Sequence, residues 1–529
     1  MNDTISNFTA DLMNECASKI DAGQLDEAQE IAETLVCDDP NNDIAIGLLG
    51  IIHGKKNSPG TSMVMQSQAV QTSLRMKREQ AAHWMNFALN LKQNYHFQAA
   101  ISAFEQAIRL DETSDHTFAN YAGLWVTMGE PGLAEVAARK CIELNPNNAT
   151  GHLHLGMALL SQGRWLEAWP EMEWRKREAS TWSRPVYPLE EWDGNECDTL
   201  LVHGEQGLGD EIFNCSTLRY AAPKVKRLVV ECTSRLVPLL RRSLSALPVP
   251  TEVYGSFEEC VANGAIPQTF LDDLRNGVTI NMGGGPKICA MGSLPLKVGL
   301  TQEMAQTGSF LIPDASRAKH WRERLLRIAN GRKIIGVAWT GGAIKTHKKL
   351  RTPPREMFER LDPDKYCLVS VQYTPAAPIQ AKRMGMLHFA SAISDLDEHA
   401  ALISALDCLV TVAQTAMHFA GAMDIPTLAL IGSMPKWDCG QEGDSNPWWR
   451  SVKSIRQEDD DWTSAFDRLL SELGEGTVEQ VREARLKAPP RIAKRALDFG
   501  PLTIPRLDQI NIGGIDATQA NTAVAQAAE

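Results

Sequence analysis

No run of about 18 consecutive apolar residues occurs in this sequence, so no segment is expected to cross a membrane as a helix. The first residues, MNDTISNFTADLMNEC, lack the basic start and apolar core of a secretory leader, and a cytoplasmic protein is expected. There is no CxxC pair. The 11 cysteines are odd in number and scattered from Cys16 to Cys439, which speaks against both a disulfide framework and a zinc ribbon. Positive charge is in deficit. The 53 Lys and Arg against 65 Asp and Glu give a net charge of −12, the wrong sign for a protein that coats nucleic acid or an anionic membrane. The rest of the composition, 43% hydrophobic and 22% charged, is that of a globular chain, and 529 residues suffice for three to four domains.

The first third is periodic. Ala100, Ala134 and Ala168 follow one another at intervals of 34 residues. Around them Trp84, Phe87, Ala88 and Leu91 precede Ala100, Phe104 and Ala107. Next, Phe118, Tyr121, Ala122 and Trp125 precede Ala134, Ala138, Cys141 and Pro146; last, Leu155, Gly156 and Leu159 precede Ala168 and Met172. Small residues at fixed positions let paired helices approach, and the large ones fill the space between pairs. Ala28, Ala32, Leu35 and Pro40 match the second helix of an earlier unit. KKNSPGTS and a helix of uncertain register stand between that unit and Trp84. Residues 1–178 thus resemble a tetratricopeptide array of about four units, divergent around 55–80. The aromatics of such an array are read as core, and His152 and His154, two apart on a helix, diverge too far to share a metal.

From Asp198 the pattern changes to short apolar runs alternating with helical ones, the signature of parallel sheets covered by helices. DTLLVHG and KRLVVEC begin one series; RKIIGVAW (332–339), KYCLVSVQ (365–372), DCLVTVA (407–413) and PTLALIG (426–432) form a second. The expected fold is a helical solenoid followed by two Rossmann-like α/β lobes, at 190–310 and 311–475, with a ligand cleft at the carboxyl ends of the strands. The remainder, 476–529, is small, polar and poor in apolar anchors, and is expected to be a poorly structured tail.

Three constellations can carry chemistry. Gly204-Glu205-Gln206-Gly207-Leu208-Gly209-Asp210 lies between a strand and a helix, where Gly207 and Gly209 allow close approach of a ligand to backbone N–H groups. Its frame has Ile212 where a dinucleotide fingerprint has a third glycine, so a dehydrogenase is disfavoured even with Glu231 ending the next strand. Asp210 reads either as a carboxylate stabilised at a helix N-terminus or as a base facing the cleft. Second, Trp339-Thr340-Gly341-Gly342 leads into Lys345, His347, Lys348, Lys349 and Arg351, a basic loop suited to a diphosphate or, alternatively, a solvated charge run. Third, Ala413-Gln414-Thr415-Ala416-Met417-His418 opens a helix at a strand end, with Gln414 and Thr415 placed to cradle an anion; His418, taken alone, reads more often as a structural histidine.

Taken together, LLVHGEQGLGDEIF, GSLPLKVG (292–299), VAWTGG, SVQ (370–372), HFAGAMDIPTLALIG, PKWDCG, NPWWRSVKSIRQ and Asp461-Trp462 make residues 198–470 resemble bacterial glycosyltransferases related to the lipopolysaccharide heptosyltransferases, in particular those fused to tetratricopeptide repeats. The resemblance implies a GT-B fold and a metal-independent, inverting transfer from a nucleotide-sugar donor, with no cofactor. The acceptor would be a protein or a cell-surface glycan selected by the array. It assigns Asp210 as catalytic base. Gly207, Gly209, Thr340, Lys345, His347, Arg351, Gln372, Gln414, Thr415 and His418 would bind the donor and its phosphates. One departure stands out: Ala413 and Gln414 occupy the positions of an Asp-Thr pair in such enzymes, which implies a different donor or a non-catalytic scaffold.

Overall fold

The computed structural model describes residues 2–178, 189–276, 286–306, 308–341, 348–458 and 461–474. The tail from 476 onward lies outside the described residues.

Ten helices build the amino-terminal array: α1 (Asn2–Asp21), α2 (Leu25–Asp38), α3 (Asp43–Lys55), α4 (Pro59–Arg75), α5 (Ala81–Gln93), α6 (Phe97–Leu110), α7 (Asp115–Met128), α8 (Pro131–Leu144), α9 (Ala149–Ser161) and α10 (Trp165–Met172). They pair as five hairpins rather than about four. Each hairpin turns on one left-handed residue, at Gly23, Asn57, Tyr95, Gly129 and Gly163. These turns recur every 34 residues, except that α4, with 17 residues against 14 in α2, α6 and α8, displaces Tyr95 by about one helical turn. Ala28, Ala100, Ala134 and Ala168 are fully buried where second helices meet first ones. Ser62 takes that place in the second hairpin and donates its hydroxyl to the Gly50 carbonyl at 2.6 Å. Asn42, Ser114 and Asn148 cap α3, α7 and α9 through their side chains.

Two parallel sheets follow. The first contains β1 (Cys197–His203), β2 (Val225–Glu231), β3 (Thr251–Tyr254) and β4 (Lys287–Ala290) in the order β3-β2-β1-β4. The second contains β5 (Lys333–Ala338), β6 (Tyr366–Ser370), β7 (Leu387–His388), β8 (Cys408–Val412), β9 (Thr427–Ile431) and β10 (Val452–Arg456) in the order β10-β9-β8-β5-β6-β7. Strands β1, β5, β6, β8 and β9 end in buried, largely apolar runs, as in parallel sheets covered by helices on both faces. Strand order reverses beside β1 in the first sheet and between β5 and β8 in the second. Crevices open at the carboxyl ends of such reversal points.

Array and sheets share one apolar core. Trp165 and Trp169 of α10 pack on Trp437, and Trp165 also packs on Trp448, with ring centroids 5.3–6.3 Å apart. The Trp169 indole donates to the Leu300 carbonyl at 2.9 Å, and that of Trp448 donates to Ser216 Oγ at 3.2 Å. The last array hairpin thus packs against elements of both sheet regions.

Candidate functional site

Helix α11 (Leu208–Cys215) starts at the carboxyl end of β1, and α12 (Thr415–Ala422) starts at the carboxyl end of β8. Their first turns meet. A Cβ on Gly209 would stand 3.1 Å from the His418 ring and 3.6 Å from Thr415 Oγ1, so only glycine permits this approach without displacement. The resemblance-derived residues Gly209, Asp210, Thr415 and His418 therefore come together from separate sheets.

Asp210 lies in the first turn of α11 and accepts the Gly207 N–H at 3.2 Å. Burial pushes its carboxyl above the ordinary range; Lys436 opposes that shift, while Asp438 and Glu205 add to it. Asp438 behaves oppositely. It is 4% exposed, and burial would raise its pKa, but Lys436, His418 and Arg351 outweigh burial and hold it low. The Lys436 ammonium lies 3.4 Å from Asp438, which with Asp210 raises the Lys436 pKa against the effect of burial. Two carboxyls facing one ammonium, with affinities for protons driven apart, can divide acid–base and electrostatic roles.

His418 is not a cation here. Burial lowers its pKa to about 4, against the pull of Asp438, so the ring is neutral at ordinary pH. The Trp449 indole donates to His418 Nδ1 at 3.1 Å, which leaves the proton on Nε2, 3.8 Å from Asp438 Oδ2. Positive charge at this edge of the second sheet comes instead from Lys436 and from Arg351. Arg351 is 8% exposed, and its pKa is lowered by burial and raised by Asp438. Lys345 and His347 lie outside the described residues.

The remaining positions have different surroundings. Gln372 is fully buried: its Oε1 accepts the N–H groups of Trp339 and Thr340, both at 3.0 Å, and its Nε2 donates to the Thr340 carbonyl at 2.9 Å. It clamps the end of β5. Gln414 is 7% exposed and sits at the α12 N-terminus without capping it. Glu231, the acid at the end of β2, accepts the Gly204 N–H at 3.2 Å.

Glu205, beside the glycines, ties the turn to the array. It accepts from the Gly292 N–H at 2.6 Å and from Arg175 Nη2 and Nε at 2.9 and 3.1 Å. Arg175, 3% exposed, belongs to the helical turn Glu173–Arg177 that closes the array, and also binds Glu173 at 2.7 Å and Ser293 Oγ at 2.8 Å. Burial opposes its charge, but Glu205 and Glu173 outweigh burial; Glu173, where burial is likewise overcome, is held down to about 2. Arg175, Lys436 and Asp438 carry the electrostatics of the site and were given no role by sequence reasoning. Lys436 and Asp438 stand in the PKWDCG stretch, the one signal that pointed to them.

No protein-family model matches the chain. FlbA of Caulobacter vibrioides is 23% identical over 425 residues, which take in 77% of this chain and 69% of that protein. Among solved structures, MamA is 21% identical with a TM-score of 0.27, covering 34% of this chain and 98% of its own. A thermophilic tetratricopeptide protein of Thermus thermophilus is 16% identical with a TM-score of 0.28, covering 32% of this chain and 97% of its own. The array itself is a helical-repeat solenoid of the tetratricopeptide kind, as its hairpins and their 34-residue spacing establish. No helix among the described residues is long and apolar enough to cross a membrane.

Proposed function

We propose that the chain is a glycosyltransferase of GT-B layout. A nucleotide-sugar donor would bind at the second sheet, and the acceptor, a protein or a glycan, would be presented by the helical array. The observation that carries this reading is the meeting of α11 and α12 at the two strand-order reversals, with Asp210 on one side and Lys436, Asp438 and Arg351 on the other. Asp210, its proton affinity raised by burial, takes the proton from the acceptor nucleophile. The nucleophile's lone pair forms the new bond to the anomeric carbon as the bond to the diphosphate oxygen breaks on the opposite face. The departing nucleoside diphosphate carries the negative charge, which Lys436, Arg351 and the N–H groups opening α12 offset in place. No resident metal enters this scheme, and turnover is expected to persist in EDTA.

Ala413 favours a second reading, a non-catalytic scaffold, because a small apolar residue stands where the resemblance expects a donor-binding carboxylate. Release of nucleoside diphosphate from UDP-, GDP- and ADP-sugars by the wild type and by Asp210→Asn separates the two. The transferase reading expects a loss of about 10²- to 10⁴-fold in the variant, the usual range for a general base, with nucleoside diphosphate affinity retained. Equal release by both proteins removes Asp210 from the chemistry, and no release with no nucleotide bound leaves the scaffold.

A further inference from the structure

At the reversal point of the second sheet, two buried polar atoms have no partner among the described residues: Thr340 Oγ1 and Gln414 Oε1. Buried polar atoms are nearly always paired, so an adjacent pair of exceptions at a strand-order crevice calls for a ligand group. They are neighbours by register. Strands β5 and β8 pair Ala338 with Thr411, and continuing that register sets Thr340 beside Ala413 and Gly341 beside Gln414. The close approach is real, since a Cβ on Gly341 would stand 2.4 Å from that of Gln414.

The orientation of the Gln414 amide follows from its surroundings. Thr411 Oγ1 donates its own proton to the Val412 carbonyl at 2.9 Å, so toward Gln414 it can only accept. The group facing it at 3.4 Å must therefore be Nε2, and Oε1 turns the other way. Thr340 is equally constrained. Its N–H and carbonyl are both held by Gln372, which leaves the hydroxyl as its one polar group without a partner.

A carbonyl oxygen accepts and cannot donate. The oxygens of an ionised diphosphate have no proton to offer it, whereas a sugar hydroxyl does, and the Thr340 hydroxyl can pair with either end of a second one. Resting on the transferase reading above, we infer that Gln414 and Thr340 bind hydroxyl groups of the donor's glycosyl unit, and that the diphosphate lies instead toward Lys436 and Arg351. Gln414 thereby moves from the phosphate-binding role that the sequence resemblance implied to a sugar-selecting one.

The test is calorimetric titration of the full-length protein with UDP, GDP and ADP and with their glucose conjugates, for the wild type, Gln414→Met and Thr340→Val. In Gln414→Met the Kd of the glucose conjugate should rise about tenfold, the worth of one well-made hydrogen bond in a buried site, while the bare nucleotide binds as before. The melting temperature should not fall, because an apolar side chain replaces an amide whose buried oxygen is unpaired and whose nitrogen makes only one long hydrogen bond, at 3.4 Å to Thr411. Thr340→Val, nearly isosteric, gives the same readout should Gln414→Met fold poorly. Equal weakening of conjugate and bare nucleotide would assign the contact to the nucleoside diphosphate and overturn the inference alone. So would unchanged binding of both. A wild type that binds no nucleotide at all would overturn the transferase reading and this inference with it.

Discussion

Arg175→Met should destabilise the protein far more than its position in a short terminal turn suggests. Arg175 makes two hydrogen bonds to Glu205, one to Glu173 and one to Ser293, with 4% of its side chain exposed against 2% for Glu205. Removing it leaves the Glu205 carboxylate buried, with the Gly292 N–H as its remaining donor among the described residues. Stranding one member of a buried ion pair costs about 3–5 kcal/mol, because desolvation of the survivor is no longer offset. In urea unfolding followed by tryptophan fluorescence, the midpoint should fall by the equivalent of that energy. Arg175→Met/Glu205→Gln should recover most of the loss, since the double variant buries no unpaired charge. The exposed pair Lys226–Asp198, at 2.7 Å but 81% and 72% exposed, is the control: Lys226→Met should leave the midpoint unchanged. A loss below about 1 kcal/mol for Arg175→Met, or a double variant no better than the single one, would show that the array does not hold the glycine-rich turn through this pair.

Acid should loosen the fold through its buried histidines. His154, His399 and His418 have pKa values lowered by burial from 6.5 to about 4, so the unfolded chain binds protons that the folded one does not. Stability is then full above 6.5 and declines as pH falls toward 4, by up to ~3 kcal/mol per histidine; melts across that range check the slope, and a flat profile would contradict it. Asp210 has the opposite sign. A carboxyl whose pKa is raised in the fold costs stability as pH rises through that value, so Asp210→Asn should melt higher than the wild type at neutral pH while losing turnover. Lys436→Met should weaken nucleoside diphosphate binding about tenfold and move the acid limb of the pH–rate profile upward, because Lys436 restrains the Asp210 pKa. Titration calorimetry and initial rates between pH 5 and 8 read both effects.

The array was legible because buried alanines repeat at a fixed interval, and its second hairpin was blurred for two local reasons. Ser62 replaces the alanine, and the longer α4 shifts the register, although Asn57 keeps the 34-residue step from Gly23. Strands that are buried throughout and largely apolar, such as β8 and β9, declared themselves. The short β3 and β4 and the alternating VKSIR of β10 did not, because they lack such runs. Asp210 and His418 stood out as the first turns of helices after strands. Arg175, Lys436 and Asp438 did not, because Arg175 meets Glu205 across 30 residues and the 436–438 loop reaches Asp210 from the other sheet. The lowered pKa of His418 was beyond the sequence too, since it follows from burial in the fold, where the Trp449 indole also donates to its Nδ1.

Nucleotide recognition is the most direct point of decision. A thermal-shift series with UDP, GDP, ADP and CMP, with and without EDTA, reads binding to the folded state as a rise in melting temperature, about 2.7 kcal/mol of added stability at a hundredfold excess over Kd. A glycosyltransferase site built from Lys436, Arg351 and α12 requires one nucleoside diphosphate to stabilise the protein strongly and to do so equally in EDTA. No shift with any nucleotide at millimolar concentration would contradict that site and leave the chain a helical-repeat scaffold.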